Sequence, residues 1–254
     1  MNAASINFFI IYTKYQIKLK YRYTYLGFLW NFLEPLLYLM VLTIVFSVVN
    51  RMNIQDYAVF LFAALVPWRY FEKVVLTAME SIVCGDWLLK KMYVSYLTFP
   101  LIRWSIASIE FLFSFTVVLF LFLFLKNNWT IHLLILPLSV LPWTLFSLGA
   151  GLICAVLYTF FRDIKNIVQM LLMFVFFSSP ILFKTDLFKD HSLQTTLLSL
   201  HPITYFAALF QKPIYYALWP SPVDWIVSIM VSLLFFVAGC FLLNKYKNRF
   251  YFYL

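Results

Sequence analysis

The chain has 254 residues, of which 64% are hydrophobic, 22% aromatic and only 11% charged, and its formal net charge at pH 7 is +9. A water-soluble domain of this length needs many more charged side chains to cover its surface, so the composition excludes an ordinary soluble protein. The basic excess does not indicate nucleic-acid binding, because lysine and arginine gather on the cytoplasmic side of membrane proteins. The composition therefore predicts an all-α integral membrane protein.

The apolar stretches predict six transmembrane helices, since a bilayer core takes roughly 20 apolar residues per helix. The predicted spans are residues 26–49, 57–75, 104–125, 136–158, 166–183 and 224–243. They form a single transmembrane domain that occupies the whole chain. An even number of spans places both termini on the same side of the membrane.

The basic residues outside the spans predict the orientation. Of the 19 lysines and arginines, thirteen fall on the side of the termini and five on the other side. The thirteen include Lys73, at the inner end of the second span, and the remaining one, Arg69, lies further inside that span. This distribution predicts that both termini are cytoplasmic.

The first predicted segment that does not cross the membrane is residues 5–22. Lys14, Lys18 and Arg22 are spaced four residues apart and form one basic ridge if the segment is helical. This pattern favours an N-terminal amphipathic helix at the membrane interface. Residues 16–23 also alternate with a period of two, which is a strand signal. A plain topology signal explains the charges equally well.

Two further segments are predicted not to cross the membrane. Residues 78–93 combine mixed charges with short apolar runs, which is typical of a short cytoplasmic helix, although an ordinary surface loop fits them as well. Residues 187–215 are too apolar for an exposed loop on the outer side and are divided by prolines. They predict a pair of short re-entrant helices, packed against protein before the last span.

Residues suited to catalysis or metal binding are scarce. The three histidines are spread over the outer half and are not paired as metal ligands would be, so we predict no metal site and no catalytic residue. Only five glycines are present and no glycine-rich phosphate loop, so the chain cannot itself hydrolyse ATP by a Walker motif. Any ATP-driven activity requires a separate motor subunit.

Charged residues within or beside the spans are the default functional candidates. They are Glu34, Arg69, Glu72 and Glu110. Arg69 and Glu72 are one helical turn apart, a spacing at which they can pair. Pairing between helices without any contact to a substrate is an equally good interpretation of all four.

Short motifs occur in order along nearly the whole chain. They are residues 19–30 (LKYRYTYLGFLW) with Glu34-Pro35-Leu36 after them, residues 65–71 (LVPWRYF), residues 88–93 (LLKKMY), residues 161–164 (FRDI), residues 179–181 (SPI) and residues 201–205 (HPITY). Together they resemble the motifs of the ABC-2 type permeases, and in particular the branch that exports O-antigens, capsules and teichoic acids. The chain departs from that pattern at His201, where the family usually has asparagine, and in its C-terminal tail.

The resemblance implies the same six spans, interface helix, cytoplasmic coupling helix and re-entrant outer helices. It further implies a homodimer in the bacterial inner membrane, which encloses a channel for a lipid-linked polysaccharide. Two copies of a separate ABC ATPase would dock on its cytoplasmic side and bind ATP and magnesium. The chain itself is expected to bind no cofactor and no nucleic acid.

The resemblance also implies roles for particular residues. Lys18, Lys20 and Arg22 are expected to meet the pyrophosphate of the lipid-linked sugar, and Leu26 and Gly27 to form a turn near the ATPase. The other candidates fall in cytoplasmic or outer segments. They are Glu80, Asp86, Lys90 and Lys91 at the ATPase interface, Arg162 and Asp163 in a cytoplasmic loop, and Pro202 and Tyr205 at the outer re-entrant turn.

Several other functions are compatible with the sequence. Within the family, an exporter of capsule, teichoic acid, a drug or another lipid is the nearest alternative to O-antigen export. A membrane-embedded glycosyltransferase requires clustered acidic residues to hold a metal at the membrane surface, and the chain has no such cluster. An ATP-independent flippase would be active as an isolated subunit.

Overall fold

The computed structural model describes residues 3–50, 52–89, 94–126, 130–184, 198 and 200–253. All regular secondary structure within these ranges is helical, which confirms the predicted all-α class. The α-helices are α1 (Ala3–Tyr21), α2 (Trp30–Val49), α3 (Ile54–Cys84), α4 (Asp86–Leu89), α5 (Thr98–Lys126), α6 (Leu136–Phe160), α7 (Ile164–Ser178), α8 (Pro202–Gln211) and α9 (Pro222–Tyr246). Short 3₁₀ turns at Gly27–Leu29, Ile131–Ile135 and Lys247–Phe252 join or extend them.

Helix α3 is the centre of the bundle. It packs against α2, α5, α6 and α8, and most of its side chains between Tyr57 and Ile82 are buried. A helix that is apolar on most sides is stable only when other helices surround it. The indole N–H of the buried Trp143 in α6 donates to the carbonyl of Pro67, 2.8 Å away, and ties the two helices together.

Within the described ranges, four helical segments are long and apolar enough to cross a membrane. They are Gly27–Val49, Thr98–Leu123, Ile131–Phe160 and Pro222–Phe252. Helix α3 has 31 residues but carries Asp56, Arg69, Glu72, Lys73 and Glu80, and α7 has only 15 residues. The structure thus supports a multi-pass membrane protein, and the predicted second and fifth spans, in α3 and α7, stay a prediction.

Helix α3 continues well past the predicted end of the second span at residue 75. No glycine or proline occurs between residue 75 and Gly85, which caps the helix and lies against the ring of Phe99. The first part of the predicted coupling segment, residues 78–84, is therefore the last two turns of α3. The short helix α4 follows it, and Lys90 and Lys91 lie outside the described residues.

The basic N-terminal segment, for which the sequence allows either a helix or a strand, forms helix α1. Its exposed side is nevertheless mixed: Lys14 and Lys18 are exposed together with Ile10, Ile11 and Tyr15. The prediction of a cleanly amphipathic helix was wrong in this respect. Apolar residues occupy most positions of the first three turns, so they cannot all face one way.

On the predicted outer side, α8 and the π-helical turn Lys212–Tyr216 pack against α3 and α9. The Gln211 amide donates to the carbonyl of Pro180 at 3.1 Å, and the Tyr57 hydroxyl to that of Leu182 at 2.8 Å. This buried short helix fits one member of the predicted re-entrant pair. Residues 187–197, which belong to the other member, lie outside the described residues.

Two glycines allow α6 and α9 to approach each other closely. A methyl group added at Gly149 would lie 2.5 Å from backbone atoms of Phe235 and Phe236, and one added at Gly239 would lie 2.8 Å from the carbonyl oxygen of Gly149. Small residues at such contacts are characteristic of helix packing in membranes, where dispersion contacts between backbones contribute much of the stability.

Substituting Gly149→Ala is expected to force α6 and α9 apart and to destabilise the protein by about 1–3 kcal/mol, the range found for overpacked cores. The measurement is the melting temperature of the purified chain in detergent. Gly151→Ala is the graded control, because the nearest neighbours of its methyl group would be Ala78 at 3.0 Å and Val74 at 3.6 Å, and not the α9 backbone. Equal melting temperatures for Gly149→Ala and the unmodified chain would contradict the close contact.

Candidate functional site

A sharp turn connects helix α1 to the first long apolar helix. Helix α1 ends at Tyr21, an exposed turn follows, and Gly27 adopts a φ of +49° before the chain enters α2. This left-handed conformation is readily adopted only by glycine, and a methyl group there would have no neighbour within 4 Å. The conformation, rather than crowding, therefore requires a glycine at the predicted Leu26-Gly27 turn.

Glu110 of α5 is the centre of a charged cluster just inside that turn. Its side chain is only 3% exposed and forms ion pairs with Lys20 of α1 at 2.5 Å and with Lys73 of α3 at 2.6 Å. One oxygen of the carboxylate faces each ammonium group. A buried carboxylate is costly unless its charge is compensated, so Glu110 depends on both lysines.

A chain of hydrogen bonds extends the cluster to α2. The Tyr21 hydroxyl donates to Glu110, the Asn31 side-chain amide donates to the Tyr21 hydroxyl at 2.7 Å, and the Ser114 hydroxyl donates to the Asn31 carbonyl at 2.5 Å. Burial, reinforced by the Glu110 carboxylate, raises the pKa of Tyr21, so this phenol keeps its proton and acts as a donor. Helices α1, α2, α3 and α5 thus meet at one polar junction.

Lys20 experiences two opposing effects in this position. Burial lowers its pKa, and the hydrogen bond to Glu110 acts in the other direction. All three basic side chains are exposed in part, and Lys18 and Arg22 differ from Lys20 because neither pairs with Glu110. The Arg22 guanidinium lies instead over the ring of Tyr23. The three predicted headgroup residues therefore occupy two different environments.

A second charged group lies beside the first. Arg69 pairs with Glu72 at 2.8 Å, as their spacing suggested, and also with Glu34 of α2 at 3.0 Å. Its guanidinium lies over the ring of Tyr38. Glu34, Arg69, Glu72, Lys73 and Glu110 all line a cavity of about 270 Å³ between α2, α3 and α5. All four predicted intramembrane charges are therefore brought together.

The sequence analysis missed Lys73 as a member of the site and missed its pairing with Glu110. Lys73 had been counted only as a cytoplasmic charge, and Lys20 only as a headgroup residue. Lys20 and Glu110 are 90 residues apart in sequence, so no local spacing connects them. A signal was nevertheless present, because an acidic residue in an otherwise apolar span requires a basic partner.

Three of the candidates predicted to be cytoplasmic have positions that the structure describes. Glu80 near the end of α3 pairs with Lys165 at the start of α7, 2.5 Å away, and the pKa of Lys165 is raised by this hydrogen bond. Arg162 donates to the carbonyls of Tyr158 and Tyr253, each at 3.3 Å. Asp163 directly precedes α7 and its side chain does not cap that helix.

The remaining candidates lie in short helices. Asp86 is the first residue of α4, Pro202 is the first residue of α8, and Tyr205 is half-buried one turn later. Among the described residues, no group of three or more histidine, cysteine or acidic side chains is placed to hold a metal ion. The roles that the resemblance implies for Asp86, Pro202 and Tyr205 stay predictions.

Long apolar helices around a compensated charge cluster define a multi-pass integral membrane protein. Comparison with known proteins identifies its family. The chain is 30% identical over 228 residues to an O-antigen export system permease protein RfbA of Myxococcus xanthus, covering 89% of this chain and 88% of that protein. Two proteins of the same name from Klebsiella pneumoniae are 29% and 27% identical over 182 residues, or 71% of this chain and 70% of theirs.

The chain therefore belongs to the family of O-antigen export system permease proteins. This result confirms the resemblance inferred from the motifs. No protein-family model matches the chain.

Substituting Tyr21→Phe removes one donor to Glu110 and the acceptor of the Asn31 amide. We expect the docking of α1 to weaken by about 1–3 kcal/mol, the cost of leaving buried polar groups unsatisfied. Hydrogen exchange of the backbone amides of α1, followed by mass spectrometry, should become faster. Tyr15→Phe is the matched control, because the exposed Tyr15 hydroxyl makes no hydrogen bond within the described part of the chain. Equal exchange in the two variants would contradict the role of Tyr21.

Proposed function

We propose that the chain is the permease subunit of an ATP-driven ABC exporter that moves lipid-linked O-antigen across the bacterial inner membrane. The observation that carries this proposal is the similarity to O-antigen export system permeases, which covers nearly nine tenths of both chains. The absence of a Walker motif from the sequence agrees with a subunit that contributes the path and not the motor.

In the working exporter, two copies of the chain enclose the channel, and two copies of an ABC ATPase supply ATP, magnesium and the driving force. Each copy has six spans with both termini in the cytoplasm. The second and fifth spans are α3 and α7, whose ends are joined by the Glu80–Lys165 pair. The ATPase docks near α4, with Glu80, Asp86, Lys90 and Lys91, and near the turn at Leu26 and Gly27.

The lipid-linked substrate presents its pyrophosphate at the cytoplasmic end of α1. Lys18 and Arg22 are exposed there and free of any carboxylate within the described residues, so their charges are available to an incoming anion. Ile10, Ile11 and Tyr15 on the same side of α1 suit the boundary between headgroups and acyl chains. Lys20 contributes from the inner side, where Glu110 holds it.

The proposed function predicts an ATP-dependent export phenotype. The chain is expressed with its ABC ATPase and O-antigen synthesis enzymes in a strain that lacks its own permease, and surface O-antigen is measured by antibody labelling of intact cells. We expect surface O-antigen only when the chain and an active ATPase are both present. An ATPase with its Walker lysine replaced is the control, and polymer should then accumulate inside the cell.

Two outcomes would contradict this proposal. Surface O-antigen with the inactive ATPase would indicate an ATP-independent flippase. New sugar linkages formed by the purified chain on a lipid-phosphate acceptor would indicate a glycosyltransferase.

The headgroup role predicts that the double substitution Lys18→Gln with Arg22→Gln lowers surface O-antigen by about tenfold or more, because two charge-assisted contacts to phosphate are lost. Both side chains are exposed, so the fold and the Glu110 cluster should be retained. The matched control is Lys14→Gln with Lys247→Gln, which removes the same charge from exposed positions. Unchanged export in the first variant, or an equal loss in both, would show that these charges only orient the chain.

A further inference from the structure

A second cavity lies on the other side of the Lys20–Glu110–Lys73 cluster. It is enclosed by α1, α3 and α5 and has a volume of about 340 Å³. This is within the range of about 300–1,000 Å³ that is typical of small-molecule sites. Lys20, Lys73, Glu110 and Arg103 contribute charged side chains to its wall, and Gln16 and Thr77 contribute polar ones.

The charge of this wall is unbalanced. Three cations face one carboxylate, and the carboxylate is already shared by Lys20 and Lys73. Arg103 is half-buried and makes no ion pair or hydrogen bond within the described part of the chain. A partly desolvated guanidinium without a counter-charge is costly, so this position favours an anion that is absent from the protein itself.

The arrangement of the cations suits a phosphate-bearing anion in particular. The planar arginine side chain can donate two parallel hydrogen bonds to phosphate oxygens, and the two lysines add compact ammonium charges beside it. Cations on three different helices surround the cavity. A ligand with a single carboxylate group would need only one of them, the arginine. A diphosphate, with more negative charge and more acceptors, uses all three.

We propose that this cavity binds the diphosphate group of a lipid headgroup, with Arg103 as a direct ligand and with Lys20 and Lys73 shared between Glu110 and the phosphates. The inference rests on the proposed function, and it assigns to that function a site distinct from the exposed residues Lys18 and Arg22. Glu110 then acts as an internal substitute for the ligand. It keeps both ammonium groups compensated while the cavity is empty, and it competes with the anion for them.

The test measures binding to the full-length chain in nanodiscs of zwitterionic lipid. Microscale thermophoresis is used to titrate geranylgeranyl diphosphate, the neutral alcohol geranylgeraniol and inorganic pyrophosphate. Arg103→Gln should weaken binding of the lipid diphosphate by about tenfold or more, since one charge-assisted contact is lost. Arg103→Lys should restore part of that affinity. Lys247→Gln, which removes an exposed charge outside the cavity, should bind like the unmodified chain.

A second variant gives an effect of opposite sign. Glu110→Gln removes the competitor and should tighten binding of the lipid diphosphate by about threefold to tenfold, since two lysines become available. General loss of structure would weaken binding in both Arg103→Gln and Glu110→Gln, so the opposed signs separate a ligand role from misfolding. Weaker binding in Glu110→Gln would overturn the proposed exchange.

The other outcomes also decide the inference. Equal binding of the lipid diphosphate by Arg103→Gln and the unmodified chain, or binding of the diphosphate no tighter than that of the alcohol, overturns the site. Pyrophosphate binding that Arg103→Gln weakens to the same extent also supports the site. It would show that the diphosphate group is sufficient for binding without the lipid chain. Surface O-antigen is measured in parallel. If export is normal but binding does not depend on Arg103, only the site is rejected. If binding depends on Arg103 but no export occurs, only the proposed function is rejected.

Discussion

The compensation of one buried carboxylate organises the packing of four helices in this protein. Glu110 lies in the middle of an apolar helix, and its charge is tolerated because an ammonium group reaches each of its oxygens. The two lysines come from α1 and α3, so a single side chain determines how both helices sit against α5. Through Tyr21 and Asn31 the same constraint extends to the start of α2. The two charged cavities exist because these four helices are held around Glu110.

This constraint gives the basic residues near the N-terminus different tasks. Lys20 is directed inward and holds the interface helix in place, whereas Lys18 and Arg22 remain free on its exposed side. An exporter that recognises an anionic headgroup benefits from such a division. In the proposed exporter, the exposed charges would meet the substrate at the membrane surface, and the inner ones would stay compensated until an anion competes for them. The headgroup would thus act on the same contacts that position α1.

Much of the fold could be predicted from the sequence, because it follows from local composition. Uninterrupted apolar stretches indicate the long helices, and the spacing of Arg69 and Glu72 indicates their ion pair. Boundaries were harder to predict: α3 runs to Cys84 because nothing before Gly85 stops it, although its last turns carry charge. The mixed exposed surface of α1 was also not predicted. Its helical form follows from the sequence pattern, but which of its side chains are buried depends on the helices packed against it.

The site could be predicted only in part, and the reason is its long-range origin. A charged side chain within a span is expected to serve a function or to have a charged partner. This rule predicts four of the residues at the site: Glu34, Arg69, Glu72 and Glu110. It could not pair Glu110 with Lys20 and Lys73, because those pairs depend on how α1 folds back against α5. Arg103 was likewise hidden, since an uncompensated arginine is visible only once its surroundings are known.

The separation between Lys20 and Glu110 also has a consequence for biosynthesis. The 90 residues between them take on the order of ten seconds to translate, at roughly 5–20 residues per second. During that interval α1 has no partner on α5. Its mixed exposed surface suits contact with the membrane surface in the meantime. Both lysines are synthesised before the carboxylate. When α5 is inserted, Glu110 therefore meets its counter-charges at once, and the nascent bundle closes around it.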